Sequence, residues 1–428
     1  MAGSGDAAPE SSREKRKREA RLAFEDRAAR EALEARVRSA LSRSHSVRSR
    51  EDERLLREHA SVASAMEARD ARRRDRKTEK EARAEEREDP GERTARNVQA
   101  LARMIRDAGG GVVLHTGAGF STAACIPDFR GPSGVWTMRA KGMAVPVPRF
   151  ERCAPTKAHM CAAALYRAGY LSHVVTQNVD GLHGRAGMPR EAVSELHGTV
   201  FREKCENEAC AVTELARDFD VTARKPHNGR HRHKTGRACP GCGGDLRDVV
   251  VQFGERLDDD VLAKATEVSR DAKLSLVMGT SLKIPPASRL PRLSETLVIV
   301  NLQWTAEDKR AALKMRARCD DVLVAACGAL GVAVPEYDPG ADAIGARVVA
   351  AGETFARDES GHQSQRADVK AEEATTFHAG EGEGDDARSV RFGVGGEGES
   401  KKHSFAPLSK RARRMKNPSV PIPTSLLS

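Results

Sequence analysis

Two pairs of cysteines in this 428-residue chain have spacing that suits one shared metal ion: Cys205 with Cys210, and Cys239 with Cys242 across Pro240-Gly241. Paired thiolates on tight, glycine-containing turns suit a tetrahedral structural zinc ion. The first pair is looser than C-x-x-C, and the gap between the pairs is longer than a simple ribbon needs. His231 and His233 lie in that gap and are alternative donors for one thiolate position. Unligated thiols are the plainer alternative.

A second set of residues suits a phosphate- and ribose-bearing ligand. In Gly117-Ala118-Gly119-Phe120-Ser121-Thr122, two glycines let backbone approach a pyrophosphate, with a helix N-terminus expected behind them. Thr122 stands where a G-x-G-x-x-G pattern has its third glycine. Ile126-Pro127-Asp128-Phe129-Arg130-Gly131-Pro132 resists helix and puts an acid, an aromatic ring and a cation on one loop. Gln177-Asn178-Val179-Asp180-Gly181-Leu182-His183 offers amides and a carboxylate for hydroxyl recognition. Gly279-Thr280-Ser281 suits phosphate or ribose, and Asn301-Leu302-Gln303 suits the adenosine side. Two histidines, His183 and the His197 of Glu195-Leu196-His197-Gly198, are candidates for a general base near neutral pH. Local sequence leaves that choice open. Val251-Gln252-Phe253-Gly254-Glu255 reads as an extended apolar segment able to pair with a substrate peptide, or as a plain edge strand.

The elements needed to position these turns are short buried strands. Gly111–His115, His173–Thr176, Ser275–Met278 and Leu297–Val300 each run into one of the polar turns, and Asp321–Val324 is a weaker strand candidate. Alternation with helix-like stretches predicts an α/β fold with a parallel sheet, whose ligand turns lie at the carboxyl ends of the strands. The apolar residues concentrate between about Asn97 and Pro339. A catalytic domain over 97–338 is therefore expected, with a small zinc module at about 201–247. Residues 1–96 read as a charged arm, helical or disordered, and 339–428 as a disordered tail.

Charged residues make up 31% of the chain and the net charge is +10, which favours an acidic partner such as nucleic acid or chromatin, or else well-solvated tails. The basic run 410–416 (Lys410-Arg411-Ala412-Arg413-Arg414-Met415-Lys416) fits nuclear import or phosphate binding. The first residues lack a secretory apolar region, and no apolar run approaches membrane-helix length, so a soluble intracellular protein without membrane association is expected. Nine cysteines then imply thiols or metal ligands rather than disulfides.

Taken in order, GAGFST, IPDFRGP, QNVDGLH, ELHG, the two cysteine pairs, VQFGE, GTSL and VNLQ resemble the sirtuin family. The resemblance runs from about Ala100 to Leu330, and GPSGVW, the LRD before VVVQFGE, and VNLQWT look most like its class IV branch. It implies a Rossmann-like domain with a zinc module, and NAD⁺ meeting an acylated lysine in the cleft between them. It also implies transfer of the acyl group to ADP-ribose with release of nicotinamide, and it selects His197 as base over His183. By the same resemblance, Asn178 orients ribose and water, and Asp180 with the Ile126 backbone holds the nicotinamide amide. Phe129 shields the ribose face, with Arg130 on phosphate or ribose. Gly117, Ala118, Gly119, Thr122, Asp128, Trp136, Gln177, Gly279, Thr280, Ser281, Asn301, Leu302, Gln303 and Cys319 fall on cofactor positions, and Val251, Phe253, Gly254 and Glu255 flank the substrate lysine. Phe120 is larger than the family's usual residue, which would reshape the acyl pocket or the nicotinamide exit.

These readings predict an NAD-dependent deacylase of histones or other chromatin proteins, located in the nucleus or nucleolus. Mono-ADP-ribosyl transfer and long-chain deacylation are variants on the same fold. An NAD-responsive chromatin- or RNA-binding scaffold is the alternative of another class.

Overall fold

The structure is a computed structural model that describes residues 12–145, 148–223 and 233–356. Two sheets organise them. The larger contains β1 (Val112–Thr116), β2 (Leu171–Thr176), β3 (Val193–Glu195), β8 (Leu274–Met278), β9 (Thr296–Val300) and β10 (Leu313–Met315), all parallel, in the order β10-β9-β8-β1-β2-β3. Between β3 and β8 the chain makes the smaller antiparallel sheet, β5-β4-β7-β6, from β4 (Arg202–Cys205), β5 (Glu214–Ala216), β6 (Lys234–Ala238) and β7 (Asp245–Asp248).

The central strands have no polar alternation because both of their faces are covered. Val112, Leu114, Leu276 and Val298 face helices α4 (Gly91–Asp107), α6 (Lys157–Arg167) and α9 (Cys319–Leu330). Val113 and Val175, one residue out of phase, face α8 (Asp259–Asp271) and the 3₁₀ segment Ala287–Leu293. The α4 residues Val98, Leu101, Ala102 and Ile105 recur at helical spacing, which fixes the buried face of that helix.

Three sequence expectations change. Asp321–Val324 is not a strand but part of α9. Its buried set, Cys319, Val322, Leu323, Ala326 and Cys327, follows the 3.6-residue period, and Asp320 accepts from Ala158 N at 2.8 Å to dock the helix on the start of α6. Short strands β3 and β10 escaped notice because three residues carry too little pattern. The stretch 339–356 is folded rather than disordered. Its helix α10 (Ala343–Ala350) buries Ile344 and Val348, and its cap Asp342 takes Arg185 Nε at 2.7 Å.

The arm is helical: α1 (Ser12–Ser42), α2 (Arg50–Glu58) and α3 (Ala60–Ala84) close a small core around Val37, Ala63 and Met66. Ser49 and Asp52 form a capping box that starts α2, and Arg43 holds Asp52 at 2.6 Å. Two short helices complete the set, α5 (Val135–Ala140) and α7 (Leu182–Arg185). No helix among the described residues is long and apolar enough to cross a membrane. The run 410–416 lies outside the described residues.

Arg185 is the buried knot of the carboxyl-terminal segment. Besides Asp342 it donates to the Phe150 and Cys153 carbonyls at 3.2 and 2.5 Å and to the Tyr337 hydroxyl at 3.2 Å. Replacing it by methionine strands the Asp342 carboxylate, so Arg185→Met should cost about 3–5 kcal/mol in denaturant unfolding. A loss below 1 kcal/mol would show that the segment is held by other contacts.

Candidate active site

β1 continues in the chain to β2 on one side, whereas β8 lies on its other side, so the carboxyl ends of β1 and β8 flank a topological switch point. Open α/β sheets bind ligands at such a point. A cleft of about 1720 Å³ opens there. It is lined by Gly117, Ala118, Gly119 and Thr122 after β1, by Gln177, Asn178 and Asp180 after β2, and by His197 after β3. From the other side come Gly279, Thr280 and Ser281 after β8, Asn301, Leu302 and Gln303 after β9, and Cys319 at the start of α9.

The turns after β1 and β8 lie backbone to backbone. Gly119 N donates to Gly279 O at 2.9 Å, and a Cβ on Gly279, whose φ is +62°, would stand 2.3 Å from Phe120 N. A Cβ on Gly117 would meet Thr280 Cβ at 2.6 Å. The expected helix N-terminus is absent here. The turn runs into two 3₁₀ turns, Ala118–Phe120 and Thr122–Ala124, so the backbone of tight turns, not the end of a long helix, lines the cleft here. This bare glycine cradle fits a dinucleotide.

Ser121 joins the polar residues of the β1 and β2 turns. Its hydroxyl donates to Asp180 Oδ2 at 2.7 Å and accepts from Asn178 Nδ2 at 3.0 Å, and Asn178 also donates to Gly117 O at 3.1 Å. Asp180 Oδ1 takes Leu182 N at 3.0 Å. Burial pushes the Asp180 carboxyl up, opposed by the donors Leu182 N and Ser121. Ser121 was not singled out in the sequence; its neighbour Thr122 was, and Thr122 Oγ1 lies at 3.3 Å from Gly119 O.

The two histidines have different environments. His183 is 2% exposed, its Nε2 is 3.0 Å from Thr116 Oγ1, its ring packs on Phe120 and His159, and burial pushes its pKa down to about 3. It is absent from the cleft wall. His197 lines the cleft, and its Nδ1–H donates to Gln177 O at 2.8 Å. That bond leaves Nε2 as the basic nitrogen of the neutral ring. Burial lowers the His197 pKa, opposed by the Gln177 carbonyl, so the neutral base dominates at neutral pH. Phe120 is 1% exposed, and its ring stands edge-on to His159 at 4.8 Å. Its ring packs on both buried histidines while the residue also lines the cleft.

The loop after Thr122 wraps around Asp128. Both Asp128 oxygens accept from Gly131 N at 2.9 Å, burial pushes this carboxyl up, and a Cβ on Gly134 would lie 2.5 Å from it. Ile126, Asp128, Phe129 and Arg130 line the cleft, whereas Trp136 stands behind it, 6.2 Å from the Phe129 ring and 5.9 Å from Phe253. Gln303 spends its amide on the scaffold, donating to Arg130 O at 3.0 Å and to Ala84 O at 2.7 Å. Lys314, which sequence reading missed, holds the Asn301 and Gln303 carbonyls at 3.1 and 3.3 Å. Cys319 is buried, which pushes its thiol pKa up. Val251, Phe253, Gly254 and Glu255 form the opposite rim. The segment is not extended throughout: Glu255 N bonds Gln252 O at 3.0 Å, and Gly254 at φ +92° closes a turn there.

In the smaller sheet, the Cys205, Cys210, Cys239 and Cys242 sulfurs all lie within 4.8 Å of one another, with Cys205 to Cys242 at 3.6 Å and Cys210 to Cys239 at 3.7 Å. Four thiolates about 2.3 Å from a tetrahedral centre stand about 3.8 Å apart, whereas a disulfide needs about 2.05 Å. The donor set fits one zinc ion. His233 is no part of it: its Nδ1 meets Asp248 Oδ1 at 3.1 Å and its Nε2 meets Glu255 Oε1 at 2.8 Å. The hydrogen bond with Asp248, then the one with Glu255, pushes the His233 pKa up against burial. His233 thus ties the zinc module to the cleft rim. His231 lies outside the described residues.

This arrangement defines a dinucleotide-binding α/β enzyme with a thiolate zinc module. The Sir2 family profile matches residues 143–286. The chain is 43% identical over 312 residues to the NAD-dependent protein deacetylase sirtuin-7 of Bos taurus, spanning 69% of this chain and 74% of that protein. It is 38% identical over 265 residues to the NAD-dependent protein deacetylase Sirt6 of Drosophila melanogaster, spanning 59% and 81%. A solved Sir2 complex with p53 peptide and NAD⁺ aligns at 33% identity over 51% of this chain and 93% of that one, with a TM-score of 0.41. The chain belongs to the Sir2 (sirtuin) family.

Two outcomes test the site. Ser121→Ala removes a donor from buried Asp180 and should cost about 1–3 kcal/mol of stability in denaturant unfolding; an unchanged midpoint would refute the linking role. Bound zinc, measured by elemental analysis, should be about one per chain and fall on Cys239→Ser. Full occupancy in that variant would reject the ligand set.

Proposed function

We propose that the chain is an NAD⁺-dependent protein-lysine deacetylase acting on histones or other chromatin proteins in the nucleus. The observation that carries the reading is His197. It is a neutral imidazole at the cleft wall, with Nδ1 tied to Gln177 O and Nε2 basic, beside the bare glycine cradle at the switch point. The relatives' printed activity, NAD-dependent protein deacetylation, supports the same conclusion.

When bound, NAD⁺ supplies an electrophilic ribose carbon with nicotinamide as leaving group. His197 Nε2 accepts a ribose hydroxyl proton. Asn178 and Asp180, locked together through Ser121, border the reactive end, with the Asn178 amide nitrogen spent on Gly117 O and Ser121 Oγ and its amide oxygen left for the ligand. Phe129 excludes water from that end, and the Gln252–Glu255 turn, braced by His233, borders the acyl-lysine. The net charge of +10 and the basic run 410–416 support an acidic, nuclear partner.

Formation of deacetylated histone peptide should fall by about 10²–10⁴-fold in His197→Tyr, the range for loss of a general base. Equal rates in the two proteins would remove the assignment. In the wild type the base works deprotonated. Activity should therefore be flat from pH 7 to 8 and fall on its acid limb through a pKa below 6.5, the direction in which burial moves His197. An acid limb centred above pH 7 would contradict it.

A further inference from the structure

We propose that Glu86, supplied by the strap between the helical arm and α4, reads the adenosine ribose of NAD⁺ and discriminates against a 2′-phosphorylated dinucleotide. This rests on the NAD⁺ reading above. The turns divide the ligand between them. The β2 and β3 turns carry Asn178, Asp180 and His197, so the reactive end lies on that side of the switch point, and the β9 turn on the far side receives the adenosine.

The strap is fastened to that far side. Ala84 O takes Gln303 Nε2 at 2.7 Å, Arg87 N donates to Leu302 O at 3.2 Å, and Asp89 N donates to Arg316 O at 2.7 Å. Arg83 stacks over the Trp304 ring at 4.2 Å. These bonds hold the residue between them, Glu86, on the cleft wall.

The acids of the strap divide by partner. Glu85 pairs with Arg87, Glu88 with Arg318 at 3.1 Å, and Asp89 with Arg93 at 3.8 Å. Glu86 is partly buried, lines the cleft, and has no hydrogen bond or ion pair among the described residues. Burial, and then Asp128, push its carboxyl up against the opposing charge of Arg318; a partly buried acid without a hydrogen bond is short of donors. A carboxylate repels phosphate and accepts from hydroxyls. At the adenosine end of a dinucleotide the matching donors are the 2′- and 3′-hydroxyls of the ribose, the pair an acid recognises in other dinucleotide sites. Here the acid comes from outside the sheet.

Calorimetric titration of the full chain with NAD⁺ and with NADP⁺ tests this without turnover. The wild type should bind NAD⁺ and reject NADP⁺. Glu86→Ala should weaken NAD⁺ about tenfold, the scale of a hydrogen bond to a charged group, and shrink the NAD⁺/NADP⁺ preference by a similar factor. Glu86→Gln should fall between the two, and Glu85→Gln, whose parent acid is exposed and absent from the cleft wall, should match wild type within twofold. NAD⁺ affinity within twofold of wild type in Glu86→Ala, with the preference unaltered, would overturn the role of Glu86 alone. A wild type that fails to bind NAD⁺ would overturn the NAD⁺ reading and this inference together.

Discussion

The site depends on the hydrogen bond from Gly119 N to Gly279 O, 2.9 Å long. It draws the turns after β1 and β8 so close that neither can carry a side chain where they meet, and the left-handed φ of Gly279 serves the same contact. Two strand ends that would otherwise diverge around the switch point are thereby joined beneath the cleft. The glycines line the cleft bare of side chains, so that a ligand's pyrophosphate can approach the backbone closely. The β2 turn enters the same scaffold through Gln177 Nε2, which donates to Thr280 Oγ1 at 3.0 Å.

On this scaffold, burial and hydrogen-bond allocation give similar residues different surroundings. His183 and His197 are both neutral imidazoles near strand ends. One is sealed into the core against Phe120 and His159; the other keeps a basic nitrogen on the cleft wall because a carbonyl has claimed its Nδ1. Gln303, expected to read adenosine, has its amide committed to Arg130 O and Ala84 O. The same bond to Ala84 fastens the arm and holds Glu86 on the wall. The arm is thus a structural neighbour of the site as well as a charged appendage.

The parallel sheet was legible because strands buried on both faces read as unbroken apolar runs ending in polar turns. β1, β2, β8 and β9 each end in such a turn despite an occasional Ser or His; β2, β8 and β9 begin one or two residues before the expected strands, and β1 keeps the expected length but lies one residue later. Asp321–Val324 misled for a related reason: a short apolar run looks alike in a buried strand and a buried helix, and only the period over Cys319–Leu330 separates them. The four cysteines were legible from spacing, whereas His233 was not, since its partners Asp248 and Glu255 lie 15 and 22 residues away. The folded stretch 339–356 was hidden by its composition, because what holds it is a buried arginine from α7.

The sequence by itself determined the donor types, their order and the strand ends on which they sit: glycines where backbone must be bare, thiols at metal spacing, amides and acids after apolar runs. These follow from local chemistry, which needs no partner distant in the chain. Tertiary structure put His197 on the cleft wall and His183 in the core, inserted Ser121 between Asn178 and Asp180, tied the Gln303 amide nitrogen to Arg130 and Ala84, and placed Glu86 on the wall. Each of those outcomes turns on burial or on a hydrogen bond between residues far apart in sequence, and such pairings exist only once the sheet has brought the turns together.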